Sequence, residues 1–538
     1  MRMRLKRWLY LVHRWMGVGL CAFLAMWFMS GMVMMYVGYP KLTEPERLSH
    51  LPRLGDGAGL LGPRQALDSA GVRGALRSLR LSAARAGQPV YLAVSAGTGG
   101  GADRVFVVDA RSGAALGGAD AKVAIASAAA YQGAAADPAK VQYLGSLQED
   151  AFTHSRGLQA HRPLHELRLA DRDDTIVYVS GLTGEVMLDA SATERHWNYV
   201  GAWIHWLYPF RGNAFDRHWS DIVIWISLAG VVLAATGTVV GILRWRFARP
   251  YRSGSRSPYP GRMMRWHHIS GLLFAAVTLT WIFSGLMSMN PWGVLDARGP
   301  KPRFEALRQA QPLLPTAADA APQVLLASGG DVRELRWVPV LGRLTVQAWG
   351  PAGRPRILDS RSGVQRPVDE EALQRAATSM MDAPVLRMER QTAYDFYYYA
   401  RDAHTMTGGN DRPLPVLRVD FADPHATRVY VDPRTGTVVT HSDRSERAGR
   451  WLFALMHSWD WLPLLSRRPA WDVVLIVLSL GGTALSLTGI VIGWRRLVIK
   501  LRHQRSVRSP SASAPIHGHL AHGKRPESHG KGRNQYLP

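Results

Sequence analysis

The chain has 538 residues, more than one average domain, and its 47% hydrophobic content with a mean hydropathy of −0.09 resembles an ordinary soluble protein. Lys and Arg number 65 against 41 acids, and the resulting +24 with a pI near 10.6 usually accompanies nucleic acid. Where these residues fall excludes both readings.

Four stretches carry no Asp, Glu, Lys or Arg: Trp15–Pro40, Ile222–Leu243, Ile269–Leu295 and Val473–Trp494. Each is long enough for the roughly 20 helical residues that cross a hydrocarbon core, and too long for a typical buried core helix. The first is a retained anchor rather than a cleaved signal, because Ser30-Gly31-Met32 followed by Val33-Met34-Met35-Tyr36 offers no small-x-small site. Twenty-two basic residues and one acid, Glu527, flank these stretches: five from Arg2 to Arg14, seven from Arg244 to Arg265, ten after Trp494. Positive loops stay cytoplasmic, so both termini and the middle loop are expected inside and the two long segments exported. The basicity is a topology signal and an attraction to the lipid surface, with no nucleic-acid partner.

The single cysteine, Cys21, falls in the first stretch, so the exported segments have no disulfides. No C-x-x-C-H, thiolate cluster, Walker A loop or G-x-G-x-x-G is present.

The chain repeats itself. His13, Gly17, Trp27 and Ser30-Gly31 recur 254 residues later as His267, Gly271, Trp281 and Ser284-Gly285. Arg162-Pro163-Leu164 recurs as Arg412-Pro413-Leu414, and Val177-Tyr178-Val179 as Val429-Tyr430-Val431. Glu194-Arg195, His205, Thr236-Gly237 and Gly241 recur as Glu446-Arg447, His457, Thr488-Gly489 and Gly493. Each half is span, exported domain, aromatic helix, span. Both cross in the same sense, which predicts a pseudo-twofold axis along the membrane normal with equivalent residues facing each other.

The expected organisation is 1–40 first span, 41–195 first exported domain, 196–245 aromatic helix and second span, and 246–265 basic loop. It continues as 266–290 third span, 291–447 second exported domain, 448–496 aromatic helix and fourth span, and 497–538 disordered His-rich tail. The exported domains read as α+β. Thr175–Val179, a turn at 180–184 and Glu185–Leu188 form a hairpin matched by Arg428–Val431 and Thr437–Thr440, with similar turns at 109–113 and 359–363. Ala66–Ala86 and Glu370–Met381 have helical composition.

Four histidines form two repeat-matched pairs: His13 with His267 at the inner ends of spans one and three, and His205 with His457 just before spans two and four. A lone histidine at a helix end is usually an interfacial residue; two matched pairs at two levels are harder to explain that way. A span of about 30 Å separates the levels, so each pair must act across the axis. Two bis-imidazole sites stacked across a bilayer suit a transmembrane haem wire, in which no iron position is left open. Gly17 and Gly271 stand one turn further on, either beside a flat macrocycle or in small-residue helix packing. His268 is an alternative to His267, about 100° round the helix. His196 and His218 lack partners. A closed zinc site would want thiolate or acidic co-ligands. His154 and His404 also match across the repeat, and Tyr394 and Tyr397–Tyr399 form an aromatic run; of these His154, His404, Tyr397 and Tyr398 are the substrate-contact candidates. His161 and His165 have i,i+4 spacing, but Arg162-Pro163 favours extended chain.

His13-Arg14-Trp15-x-Gly17, the Thr-Gly hairpins, His205 before span two and Leu487-Thr488-Gly489-Ile490-Val491-Ile492-Gly493-Trp494 resemble the PepSY-associated transmembrane helix family, which includes iron-regulated membrane proteins and ferrioxamine-type siderophore reductases. The resemblance runs to His503. It implies an α-helical membrane protein of four spans with two α+β PepSY-like periplasmic domains in the bacterial inner membrane. It implies two b-type haems with His13, His267, His205 and His457 as axial ligands, and delivery of electrons to ferric siderophores, releasing Fe(II). The donor, quinol or a cytosolic reductase, is separate. The alternative is a haem-free sensor or protease-regulating protein whose PepSY-like domains bind peptide; a permease fits less well, since four spans leave little room for a path.

Overall fold

The computed structural model describes residues 2–97, 102–133, 135–327, 329–351, 353–401 and 412–508. Three helices are long and apolar enough to cross a bilayer, within Arg4–Met34, Asp216–Arg244 and Ala470–Arg502. The first begins in the basic N-terminus, at Arg2, and ends at Met34. Gly38 and Pro40 lie beyond it, where proline disfavours continued helix. The last runs from Ala470 to Arg508, twelve residues into the segment read as tail; the rest of that segment lies outside the described residues.

The third apolar stretch differs from the continuous span expected. It is a bent pair, Arg262–Leu273 and Ala275–Ser288, meeting at 67°. No proline marks the break. The cause is packing: the Phe274 ring lies where a Cβ on Gly481 would come within 2.1 Å of it. The bend sends the lower half against the Ala470–Arg508 helix and the upper half against Trp219–Arg244. Counting the pair as one span gives four.

The β-rich parts contain fifteen strands among the described residues. In the first half these are β1 (Leu76–Arg85), β2 (Gln88–Ser95), β3 (Arg104–Asp109), β4 (Ala115–Leu116), β5 (Gln142–Leu147), β6 (Leu164–Arg168), β7 (Ile176–Ser180) and β8 (Val186–Ala190). In the second they are β9 (Glu334–Val340), β10 (Arg343–Trp349), β11 (Arg356–Asp359), β12 (Val385–Gln391), β13 (Val416–Phe421), β14 (Arg428–Asp432) and β15 (Thr437–Ser442). β5–β8 and β12–β15 make two antiparallel four-stranded sheets. Their hairpins close on Gly184 and Gly436, at φ +78 and +68, conformations that a Cβ penalises. The helices Ala121–Gln132 and Glu370–Thr378 are each capped by an aspartate, Asp120 and Asp369, and lay Ala and Leu on the sheets.

The expected helix over Ala66–Ala86 is overturned after its first turn. A short helix, Pro63–Ser69, stops at Gly71 and Gly74, both at positive φ, and Leu76–Arg85 is a strand. Its composition is helical, but pairing on both edges outweighs propensity.

That strand joins the halves. β1 pairs with β9, completing one sheet in the order β11-β10-β9-β1-β2-β3-β4. Leu81 faces Leu335, again 254 residues apart and both fully buried, so a local twofold axis passes between them. Beside it Glu334 receives Arg47 through two bonds of 3.0 Å, Arg80 at 3.3 Å and Arg336 at 2.5 Å. Burial pushes the Glu334 carboxyl up, but the three guanidinium groups overcome it and hold the group at about 2. A depressed carboxyl adds stability that is complete above its ordinary value of about 4.5 and lost as pH falls towards about 2. Glu334→Ala removes the carboxylate that three half-buried arginines share, leaving Arg47 and Arg336 with Glu44 and Arg80 with Glu185, and an unfolding cost of about 1–3 kcal/mol is expected at neutral pH. Thermal melting of detergent-purified protein should show that gap narrowing below about pH 4.5, and a pH-independent gap would refute the assignment.

Candidate functional site

The twofold pairing brings the four histidines together as two pairs. The His13 and His267 ring centroids are 6.4 Å apart, and those of His205 and His457 6.1 Å. On the first long helix, His13 and Ser30, which touches His205, are seventeen residues apart. The levels are therefore about 26 Å apart along that helix, somewhat closer than a whole span.

Each imidazole is held at Nδ1 by the helix it packs against. His13 Nδ1 meets the Leu233 carbonyl at 3.3 Å, and His267 Nδ1 meets Thr488 Oγ1 at 2.9 Å. His205 Nδ1 meets Ser30 Oγ at 2.9 Å, and His457 Nδ1 meets Ser284 Oγ at 3.1 Å. Proton accounting fixes the tautomer. A carbonyl only accepts. The Ser30, Ser284 and Thr488 hydroxyls already donate to the carbonyls of Met26, Trp281 and Leu485. All four Nδ1 atoms must donate, which in a neutral ring leaves the lone pair on Nε2.

Glycines let the rings approach. A Cβ on Gly237 would stand 2.6 Å from His13 Cε1, and one on Gly489 would stand 3.5 Å from His267 Cε1. At the other level, Gly31 and Gly285 face the Cε1 atoms of His205 and His457 at 3.7 and 3.6 Å. Ser30-Gly31, Ser284-Gly285 and Thr488-Gly489 thus bind the ring with one residue and clear space for it with the next, whereas beside His13 the Leu233 carbonyl binds and Gly237 clears. The sequence shows these pairs in register, but the repeat alone does not say what they touch.

Backbone irregularity aims the second pair. The helices leading to His205 and His457 pass through π turns at Tyr199–Trp203 and Arg450–Leu455, local widenings that frequently sit at functional sites. The Trp27 indole donates to the His205 carbonyl at 2.8 Å.

Other candidates fall elsewhere. His268 is buried, with Nδ1 on Ser257 Oγ at 2.8 Å and Nε2 on the Gly241 carbonyl at 2.9 Å. Both nitrogens are spent on structure, which disqualifies it as the alternative ligand. A Cβ on Gly17 would stand 3.8 Å from Leu233, and one on Gly271 3.5 Å from Leu485, so both glycines face leucines of neighbouring helices. His154 bonds Glu149 and lies edge-on to Tyr208. His165 is buried in β6 between Tyr143 and the Ala119 carbonyl, and His161 bonds Ser180. Tyr398 is fully buried, stacked on Tyr430 and donating to the Pro413 carbonyl, so it offers no surface to a substrate. Tyr397 accepts from the Trp451 indole. His404 lies outside the described residues.

The donor set is two nitrogens per level. Among the described residues no three His, Cys, Asp or Glu side chains converge on one point, whereas a closed zinc site takes four protein ligands. A metal whose equatorial positions are filled by a macrocycle needs two axial ligands. Imidazoles bonded at about 2 Å on opposite sides of one metal have centroids about 6 Å apart. Both observed separations fit.

Gly237→Ala drives a methyl into the His13 ring and should lower the melting temperature, at a cost of about 1–3 kcal/mol. Gly19→Ala, on the same membrane but with nothing within 4 Å, should be neutral or stabilising by about 1 kcal/mol. Equal effects in a thermal melt would show that the Gly237 contact is not tight.

No characterised protein sequence matches the chain. The family model described as the PepSY-associated TM region matches residues 10–383, covering the first pair's histidines, the bent pair and the seven-stranded sheet, and the chain belongs to that family.

Proposed function

We propose that the protein is a dihaem electron-transfer protein of the bacterial inner membrane that reduces ferric siderophores in the periplasm and so releases Fe(II). The observation that carries this reading is the pair of facing histidines at each of two levels, all four bonded at Nδ1 to a neighbouring helix, three to a hydroxyl and His13 to a backbone carbonyl. When bound, haem would supply a one-electron couple. His13 and His267 would hold the inner group, and His205 and His457 the outer. The Leu233 carbonyl and the hydroxyls of Thr488, Ser30 and Ser284 keep each ring in the ligating tautomer and orientation. The surrounding apolar helices exclude water.

The direction comes from charge. Basic residues cluster before the first helix, between Arg244 and Arg265, and after Trp494, which supports cytosolic termini with the His13 level near the cytosolic face. The β-rich units, read as PepSY-like domains, then lie in the periplasm. Electrons enter from quinol or a cytosolic reductase. Ferrous iron is a softer, weaker partner for oxygen-rich chelators than ferric iron, so one-electron reduction loosens the metal.

A reduced-minus-oxidised absorption spectrum of purified protein should show two b-type haems per chain, with one lost in His13→Ala and one in His205→Ala. Absence of haem from cells supplied with it would sink the proposal in favour of a haem-free sensor. Ser30→Ala and Thr488→Val retain the ligands but lose their orienting partners. Each should weaken retention of one haem by about 10–100-fold, read by haem loss to apomyoglobin; unchanged retention would separate the hydrogen bonds from ligation.

A further inference from the structure

The second half carries a large cleft. Its cavity of about 1090 Å³ lies between the β10–β11 end of the seven-stranded sheet and the β12–β15 sheet, closed on one side by Lys41–Leu48 of the first half. That is the size of a small-molecule site. Seven basic side chains line it against three carboxylates. The carboxylates are already engaged: Glu44 by Arg47 and Arg336, Glu370 by Arg390 at 2.8 Å, and Asp432 by Thr435 Oγ1 and the Arg434 amide, both at 2.9 Å. Arg354 and Arg434 are exposed in the cleft and have no carboxylate partner among the described residues.

This charge is not demanded by the fold. Where β14 turns through Asp432-Pro433-Arg434, the equivalent β7 turn reads Ser180-Gly181-Leu182 and closes as well without it. Prolines stiffen the wall, at 355, 367, 413, 415 and 433, so a ligand meets arginines whose backbone is already ordered. The cleft also connects through its lining to the helix that carries His457. Tyr394 lines it, and two residues on Phe396 stacks on Trp451 at 4.3 Å, in the π turn that leads to His457.

We infer that this cleft binds a small, multiply anionic metal chelate and discriminates against neutral or cationic ones. The metal in that statement rests on the reductase reading; the charge class rests on the cleft alone. Guanidinium groups recognise carboxylate or catecholate oxygens bidentately, and like charges exclude a cationic complex.

The test uses full-length protein in detergent and redox-inert gallium(III) in place of iron. Titration calorimetry compares a trianionic gallium tris-catecholate with a neutral gallium tris-hydroxamate. The trianion should bind at least about tenfold more tightly and lose affinity with added salt. Arg354→Gln and Arg434→Gln, both at exposed positions, should each weaken it about tenfold while haem content stays at the wild-type value. Equal binding of both complexes, no binding, or binding indifferent to both variants overturns the inference. So does displacement of the trianion by an acidic peptide of tighter affinity, which would make the cleft a peptide site. Haem content, measured on the same samples, reports separately on the reductase reading. Protein without haem that still selects the trianion keeps the cleft assignment and loses the reductase.

Discussion

Everything in this molecule hangs on a shared register between two copies of one pattern. Leu81 faces Leu335 in the sheet and His13 faces His267 in the membrane, each pair 254 residues apart. The outer histidines, His205 and His457, face each other at a separation of 252. All three contacts join equivalent positions of the two halves, so the β-pairing and the histidine pairing follow one register. Sliding β1 by one residue against β9 would turn its apolar face outward and strain the helices that hold the rings. Glu334 adds a lock beside the axis. It is not symmetric: its repeat equivalent is Arg80, one of the three arginines it binds. Divergence of the halves has converted an equivalent pair into an ion pair across their junction.

The same acceptor logic operates at both levels of the membrane. A serine or threonine hydroxyl spends its proton on its own helix and presents a lone pair to an imidazole. This is a satisfied arrangement in an apolar medium, where an unpaired polar atom is expensive. It also removes ambiguity, since the ring has one way to place its proton. His268 shows the contrast, because both its nitrogens are consumed.

Much of this was legible in the residues, and the limits have physical causes. The apolar stretches, the repeat and the histidine pairs are local or periodic signals, and a fixed offset translates directly into a facing pair. The hairpins at 180–184 and 432–436 were visible because a left-handed corner selects glycine. By contrast, Leu76–Arg85 is a strand because of a partner more than 250 residues away, which no local propensity encodes. The break at Phe274 depends on Gly481 making room in another helix. The roles of Ser30, Thr488 and Gly237 were hidden although the residues were in plain register, since the repeat shows that they recur and only packing shows what they touch. The burial of Tyr398 likewise follows from Tyr430 and Pro413, each remote in sequence.

The seven-stranded sheet also sets the order in which the molecule can be built. β1 lies between β2 and β9, yet β9 begins at Glu334, so the ribosome makes more than two hundred intervening residues before β1 gains its second neighbour. During that interval the first unit presents an open strand edge, the feature that templates unwanted pairing between chains. Arg80 and Arg47 are near that edge, held within the first half by Glu185 and Glu44, and Glu334 joins them when the second half arrives. Charged side chains at an open edge oppose pairing between copies, and Glu334 then ties the same arginines across the junction. The sheet begun by the first half is therefore completed only by the second.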